Sequence, residues 1–153
     1  KRSRCLTFWP RPFDCAVVYL HGFPDQSLDH RAESDDYGSC SSRFPRKLSE
    51  ILLEEVPDAL FVAFNFAGTP GSDRDCQFEG KTVSREVSDA RAVLRFLRES
   101  GRLSASACTH VVGLSTGAII AALLRGVDPN MTVTAVAGLV DVKAGLEYDF
   151  DST

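Results

Sequence analysis

The sequence predicts an α/β fold with a mostly parallel, doubly wound sheet, because two kinds of segment alternate along it. One kind is short, apolar and rich in β-branched or aromatic residues, which is typical of buried strands. The other has apolar residues at helical spacing. Three predicted helices separate four predicted strands, which lie at residues 15–20, 60–65, 108–114 and 132–140. A further edge strand is predicted at residues 6–9.

The three helices are indicated by their apolar surfaces and by the residues at their ends. The first is predicted over residues 44–56 and the third over residues 116–125, which are apolar nearly all round, as in a helix buried under a sheet. The second is capped at its start by Thr82 or Ser84 and ends at Gly101. The apolar faces of the first two helices consist of Leu48, Ile51, Leu52 and Val56, and of Val83, Val87, Ala90, Leu94 and Leu97.

Length, charge and cysteine usage limit the class of protein. The 153 residues suit one domain, and the net charge of -4 argues against nucleic-acid binding, which needs a basic face. No apolar run approaches the roughly 20 residues that span a bilayer. The five cysteines are scattered and form no C-x-x-C pair, so we expect free thiols in an intracellular, reducing compartment and no metal site. They are Cys5, Cys15, Cys40, Cys76 and Cys108.

No cofactor is expected either. The segment Gly80-Lys81-Thr82 is similar to the end of a P-loop, but Asp75 stands where such a loop needs its first glycine. The sequence also lacks the G-x-G-x-x-G pattern of dinucleotide sites. A nucleotide-binding function is therefore not supported.

The turn after the third predicted strand is the strongest chemical signal. That strand runs into Gly113-Leu-Ser-Thr-Gly117 and then directly into the apolar helix. A strand-to-helix turn of G-x-S-x-G form is typical of a nucleophile elbow, in which the serine hydroxyl projects above the carboxyl end of the sheet. The glycines leave room for the tight turn, and the helix N-terminus supplies a positive dipole end. The alternative is a plain turn in which Ser115 only caps the helix.

Three segments together resemble the α/β-hydrolase superfamily, and the resemblance covers residues 6–141. Besides the turn at Ser115, the first strong strand ends in Leu20-His21-Gly22-Phe23-Pro24, which is similar to the HG loop of that family. The second strand is followed by Phe66-Ala-Gly68-Thr-Pro-Gly71-Ser72-Asp73, which is similar to the family's glycine-rich loop with an extra residue between the glycines.

The resemblance implies a serine hydrolase, esterase-like or thioesterase-like, that acts on a small acyl or ester substrate. Ser115 would be the nucleophile, and the backbone N–H groups of Phe23 and Thr116 would form the oxyanion hole. His21 is expected to shape its loop and not to act as a base. The residues expected to support the turn and the loop are His21, Gly22, Gly113 and Gly117.

A base for Ser115 is not evident in the sequence. The family order is serine, then acid, then histidine, yet no histidine follows His110. His110 precedes Ser115 on the same predicted strand, so at about 3.3 Å per residue it is expected roughly 16 Å away toward the wrong end. His30 lies in a long polar loop. Asp141, directly after the fourth predicted strand, is a candidate for the triad acid.

Two functions remain open from the sequence. The first is an active serine hydrolase, of which residues 1–153 form a single partial α/β-hydrolase domain, with the catalytic histidine elsewhere. The second is a catalytically inactive accessory or structural subunit of a larger assembly. In both cases we expect the apolar sheet edge after Val140 to be covered by the remainder of the same polypeptide or by another protein chain.

Overall fold

A computed structural model describes residues 12–23, 39–40, 42–69, 72 and 80–138 of the chain. In these residues strands and helices alternate along the chain, which confirms the predicted α/β fold. The strands are β1 (Phe13–Leu20), β2 (Leu60–Ala63), β3 (Leu103–Leu114) and β4 (Met131–Val136). The helices are α1 (Arg43–Glu55), α2 (Val83–Glu99) and α3 (Thr116–Leu124).

All four strands are parallel, and their order in the sheet is β2-β1-β3-β4. The central pair is β1 and β3, in which Leu20 lies beside Gly113. On the other side of β3, His110 lies beside Thr132 of β4. Within the described ranges, no strand flanks the outer side of β4. The segment after Val140, where we expect a covering chain, lies outside these ranges.

The helices pack on both faces of the sheet, as a doubly wound fold requires. On one face, α2 and α3 cover a core formed mainly by Leu20, Phe66, Ala90, Leu97, Val111, Ile120 and Leu124. On the other face, α1 covers a smaller core formed by Val17, Tyr19, Val112 and Leu114, against which Phe44, Leu48 and Leu52 pack. The buried side of α3 explains why its sequence is so apolar.

Two strand boundaries differ clearly from the prediction. β3 begins at Leu103 and not at Cys108. Leu103 pairs with Phe13 of β1 and Cys108 with Cys15, so the serines and alanines of residues 104–107 lie in a register shift, and they hide the apolar pattern. β4 ends at Val136, since Ala137 has a φ of 49° and turns the chain out of the strand.

The ends of α2 follow the predicted residues. Thr82 is the N-cap, and its hydroxyl oxygen accepts a hydrogen bond from the backbone N–H of Arg85 at 3.3 Å. Gly101 follows the helix with a φ of 67°, the left-handed conformation that glycine adopts at little cost. Of the two predicted caps, the structure uses Thr82.

The remaining expectations concern membrane spans, the cysteines and the predicted edge strand. Among the described residues, no helix has the length and apolar character that crossing a membrane requires. Cys15, Cys40 and Cys108 are free thiols. The predicted edge strand at residues 6–9, like Cys5 and Cys76, lies outside the described residues.

Candidate active site

The carboxyl ends of β1 and β3 form the point at which the topology of the sheet reverses. From β1 the chain crosses through α1 to β2, whereas from β3 it crosses through α3 to β4 on the opposite side. The two helices lie on opposite faces, so the segments that leave β1 and β3 diverge. Ligands bind in the crevice at such a reversal in open α/β sheets. His21-Gly22-Phe23 follows β1 here, and Ser115 follows β3.

Ser115 has the most unusual backbone of the site. Its φ of 55° and ψ of -119° lie outside the regions that L-residues usually occupy, at a cost of about 1–3 kcal/mol. Two backbone hydrogen bonds of 2.9 Å hold this conformation: Ser115 N–H donates to the carbonyl of Val136, and its own carbonyl accepts from Ala118 N–H. The Ser115 side chain makes no capping hydrogen bond to α3. The hydroxyl is therefore not used as a helix cap.

Gly113 and Gly117 allow α3 to begin in contact with the end of the sheet. A Cβ atom at Gly117 would lie 2.2 Å from the carbonyl oxygen of Leu20, and one at Gly113 would lie 2.2 Å from the carbonyl oxygen of Gly117 itself. Both distances are far below van der Waals contact with backbone atoms that cannot rotate away. Only glycine fits at either position, because a side chain at Gly117 would separate α3 from β1 and one at Gly113 would separate α3 from β3.

Gly22 lies against the Ser115 side chain. A Cβ atom at Gly22 would be 3.1 Å from Ser115 Cβ and 3.6 Å from its hydroxyl oxygen. The structure therefore brings together the two segments that the sequence analysis singled out. Thr116 is the first residue of α3, where a backbone N–H has no intrahelical acceptor. Phe23 follows Gly22, and its side chain is exposed.

His21 is buried and both of its ring nitrogens are engaged. Nε2 accepts a hydrogen bond from the backbone N–H of Phe66 at 3.1 Å, so the ring proton resides on Nδ1, which donates to the Gly22 carbonyl at 2.7 Å. The ring also packs on Phe66, with centroids 4.9 Å apart. A histidine held as this neutral tautomer ties the loop after β1 to the loop after β2, and it has no nitrogen left to take the Ser115 proton.

A buried polar network, which the sequence analysis did not predict, holds the loop after β2. Lys81 Nζ donates to the Ala67 carbonyl at 3.3 Å and to Thr69 Oγ1 at 3.2 Å, and forms a 2.7 Å ion pair with Glu86. Asp89 accepts a hydrogen bond from the Ala67 N–H at 2.9 Å. The sequence signals this network only weakly: Lys81 precedes the N-cap residue of α2, and the acids Glu86 and Asp89 lie in the first turns of that helix. The network connects α2, through Phe66, to His21.

Removal of the Lys81 charge is expected to destabilise the protein by about 3 kcal/mol, because it leaves Glu86 buried without its partner. The Lys81 and Glu86 side chains are only 5% and 12% exposed. The matched control is Lys47→Met, which breaks an equally short pair with Glu50 whose side chains are 65% and 59% exposed, and should cost about 0.5 kcal/mol or less. Urea unfolding of Lys81→Met and of the control measures both values; equal losses would contradict the buried network.

The structure does not bring His110 to Ser115. His110 lies in the body of β3, where Nδ1 is 2.6 Å from Thr132 Oγ1 and Nε2 is 2.9 Å from Thr134 Oγ1. His30 and Asp141 lie outside the described residues, as do Pro24, Gly71 and Asp73.

The segment after β4 is a part of the site that the sequence analysis missed. Ala137 has a positive φ without being glycine, directly after the Val136 carbonyl that holds Ser115. At the next position, a Cβ on Gly138 would lie 2.9 Å from Ala118 Cβ. The chain after β4 is thus packed against the first turn of α3. Backbone strain of this kind clusters at functional sites.

Within the described ranges, no three histidine, cysteine or acidic side chains are grouped so that they could hold a metal ion.

No known protein-family model matches the sequence, and comparison with curated proteins found no significant similarity. The function is therefore inferred from the residues of the site and from their positions.

Proposed function

We propose that the protein is a serine hydrolase of the α/β-hydrolase type, esterase-like or thioesterase-like, with Ser115 as its nucleophile. The observation that carries the proposal is the backbone of Ser115, strained at a φ of 55° with a hydroxyl that caps nothing. If this conformation served only packing or capping, its backbone strain would lower the stability of the fold, and no capping hydrogen bond of the Ser115 side chain would offset it. The position of this serine beside Gly22, at the reversal point of the sheet, supports the same function.

The proposed reaction is acyl transfer through a covalent intermediate. Ser115 Oγ attacks the carbonyl carbon of an ester or thioester, and the N–H groups of Phe23 and Thr116 stabilise the negative charge that develops on the carbonyl oxygen. Collapse of the tetrahedral intermediate releases the alcohol or thiol and leaves an acyl group on Ser115. Water then attacks the acyl-serine, which releases the carboxylic acid and restores the hydroxyl.

The base in this reaction comes from outside the described residues. It takes the Ser115 proton during attack and gives it to the leaving group, as a histidine does in serine hydrolases. His21 is excluded because Nε2 already accepts and Nδ1 already donates. We assign Asp141, which follows Val136 closely in the sequence, as the acid that orients this base.

The second candidate is an inactive hydrolase-like accessory or structural subunit of a larger assembly. The observation in its favour is that His21 and His110 both have other hydrogen-bond partners. In this role the turn at Ser115 would persist without an activated hydroxyl. The unflanked outer side of β4, seen in the described part of the chain, is compatible with either candidate.

Trapping of the acyl-enzyme separates the two candidates. The protein is mixed with an excess of p-nitrophenyl acetate, quenched in acid and digested with trypsin. A hydrolase is expected to carry an acetyl group, about 42 Da, on Ser115 in the peptide of residues 103–125. Acetylation confined to surface lysines, on folded protein, would favour the accessory subunit. The double variant Ser104→Ala/Ser106→Ala provides a control for the other two serines of this peptide and should leave the Ser115 adduct unchanged.

A further inference from the structure

Two cysteines lie side by side on the central strands. Cys15 of β1 and Cys108 of β3 are direct partners in the parallel register. Neighbouring strands are about 4.8 Å apart, which falls inside the range of roughly 4.4–6.8 Å between the Cα atoms of a disulfide. As direct partners in a parallel ladder, the two side chains also lie on the same face of the sheet. Both are reduced in the structure, so the pair is a dithiol with the spacing of a disulfide.

The pair is separate from the candidate active site. It lies near the amino end of β1 and in the middle of β3, whereas Ser115 follows the carboxyl end of β3. Cys108 is exposed and Cys15 is partly exposed. The register shift between Phe13 and Cys15 lies directly beside the pair, at a point where the ladder is already irregular. Solutes therefore have access to one sulfur, and the neighbouring backbone is less constrained than in a regular ladder.

We propose that Cys15 and Cys108 form a reversible disulfide by exchange with a low-molecular-weight disulfide such as glutathione disulfide. The proposal does not depend on the function of Ser115. It rests on the register of the two cysteines, which places their side chains next to each other on one face of the sheet, and on the exposure of Cys108.

The exchange takes place in two balanced steps. The exposed Cys108 sulfur, as thiolate, attacks one sulfur of glutathione disulfide, and the S–S bond breaks to release one glutathione thiolate. Cys15 then loses its proton and attacks the Cys108 sulfur of the mixed disulfide, which releases the second glutathione. The two cysteines are oxidised by two electrons in total, glutathione disulfide is reduced by the same two, and the two thiol protons end on the two glutathiones.

The second step is expected to control the rate. In the dithiol, burial above all raises the pKa of the Cys15 thiol to about 11, and the neighbouring Cys108 adds to this rise. The burial persists in the mixed disulfide, where Cys108 carries no charge, and only the thiolate attacks, so closure of the disulfide should accelerate as the pH rises through the alkaline range. The closed disulfide links β1 to β3 across the loop that contains α1, β2 and α2, so a rise in Tm of roughly 5 °C is expected.

The test treats the protein with glutathione disulfide at pH 8 and maps its peptides without reduction. Trypsin leaves Cys5 and Cys15 together in residues 5–31 and leaves Cys108 in residues 103–125, so Cys5→Ser is introduced first. The expected product is a linked pair of these two peptides, with an intact mass lower by about 2 Da that dithiothreitol restores. A Cys15→Ser variant should instead keep one glutathione, about 305 Da, on Cys108.

Two outcomes would overturn the proposal. One is a Cys108 adduct that persists on the chain that retains Cys15, with no linked peptides. The other is a disulfide from Cys108 to Cys40 or Cys76 in place of Cys15. Far-ultraviolet circular dichroism checks the fold of the variants, and the peptide map of the chain that retains both cysteines decides the question even if a variant fails to fold.

Discussion

Replacement of Ser115 with alanine is expected to lower kcat/KM for ester hydrolysis by about 10⁴-fold or more, because the covalent step loses its nucleophile. The substitution removes one oxygen that forms no capping bond, so the loss should not come from unfolding. Initial rates with p-nitrophenyl esters, measured alongside Tm, give both quantities. The expected result is an inactive protein with a Tm within a few degrees of the unsubstituted chain.

The matched control is Ser88→Ala, which removes an exposed hydroxyl of α2 that donates to the Ser84 carbonyl at 2.9 Å. This variant should retain activity within about twofold, since it lies away from the reacting atoms. Equal activity of Ser115→Ala and of the unsubstituted protein would show that any hydrolysis observed comes from another group. That result would exclude Ser115 as the nucleophile.

The second large effect is expected on stability, at Gly117. Alanine there should lower the free energy of unfolding by about 4 kcal/mol or more, because its Cβ would meet the carbonyl oxygens of Leu20 at 2.2 Å and of His21 at 2.6 Å. Both atoms are backbone, so relief requires α3 to move away from the end of β1. The same movement would displace Ser115, and activity should be lost even in molecules that remain folded.

Gly101→Ala separates this steric effect from the ordinary cost of replacing a glycine. Gly101 has a φ of 67°, and nothing lies within 4 Å of a Cβ built on it. Its substitution should therefore lower the free energy of unfolding by only about 1–2 kcal/mol, because an L-residue is placed in the left-handed region. Urea unfolding of both variants provides the comparison. If Gly117→Ala were no more destabilising than Gly101→Ala, the result would contradict a contact between α3 and β1 too close for a side chain at Gly117.

The alternation of strands and helices could be predicted because local pattern and tertiary packing agree in this chain. The branched run that ends in Leu20 is buried on both faces of the sheet. Most of the predicted apolar faces of α1 and α2 pack on the sheet, but Ile51, Val56 and Val83, which the periodicity placed on those faces, are exposed. The early start of β3 could not be predicted. Residues 104–107 are serine and alanine, and they lie in the register shift between the pair of Phe13 with Leu103 and the pair of Cys15 with Cys108, which local pattern does not reveal.

The candidate site was predictable only where a short motif determines the backbone. Gly113 and Gly117 flank Ser115 at fixed spacing, and their contacts follow from one tight turn. The network of Lys81 with Glu86 and the loop after β2 depends on how α2 packs against that loop, which no local spacing reveals. The tautomer of His21 likewise depends on Phe66, which is distant in sequence.

The most direct test of an activated Ser115 is labelling of the native protein with a fluorophosphonate probe, read by intact mass and by peptide mapping. The probe phosphonylates serine hydroxyls that a base has activated, and it ignores ordinary surface serines. We expect one adduct per chain, on Ser115, and none on Ser115→Ala. Absence of an adduct on correctly folded protein would contradict the hydrolase proposal and leave the accessory subunit as the better explanation.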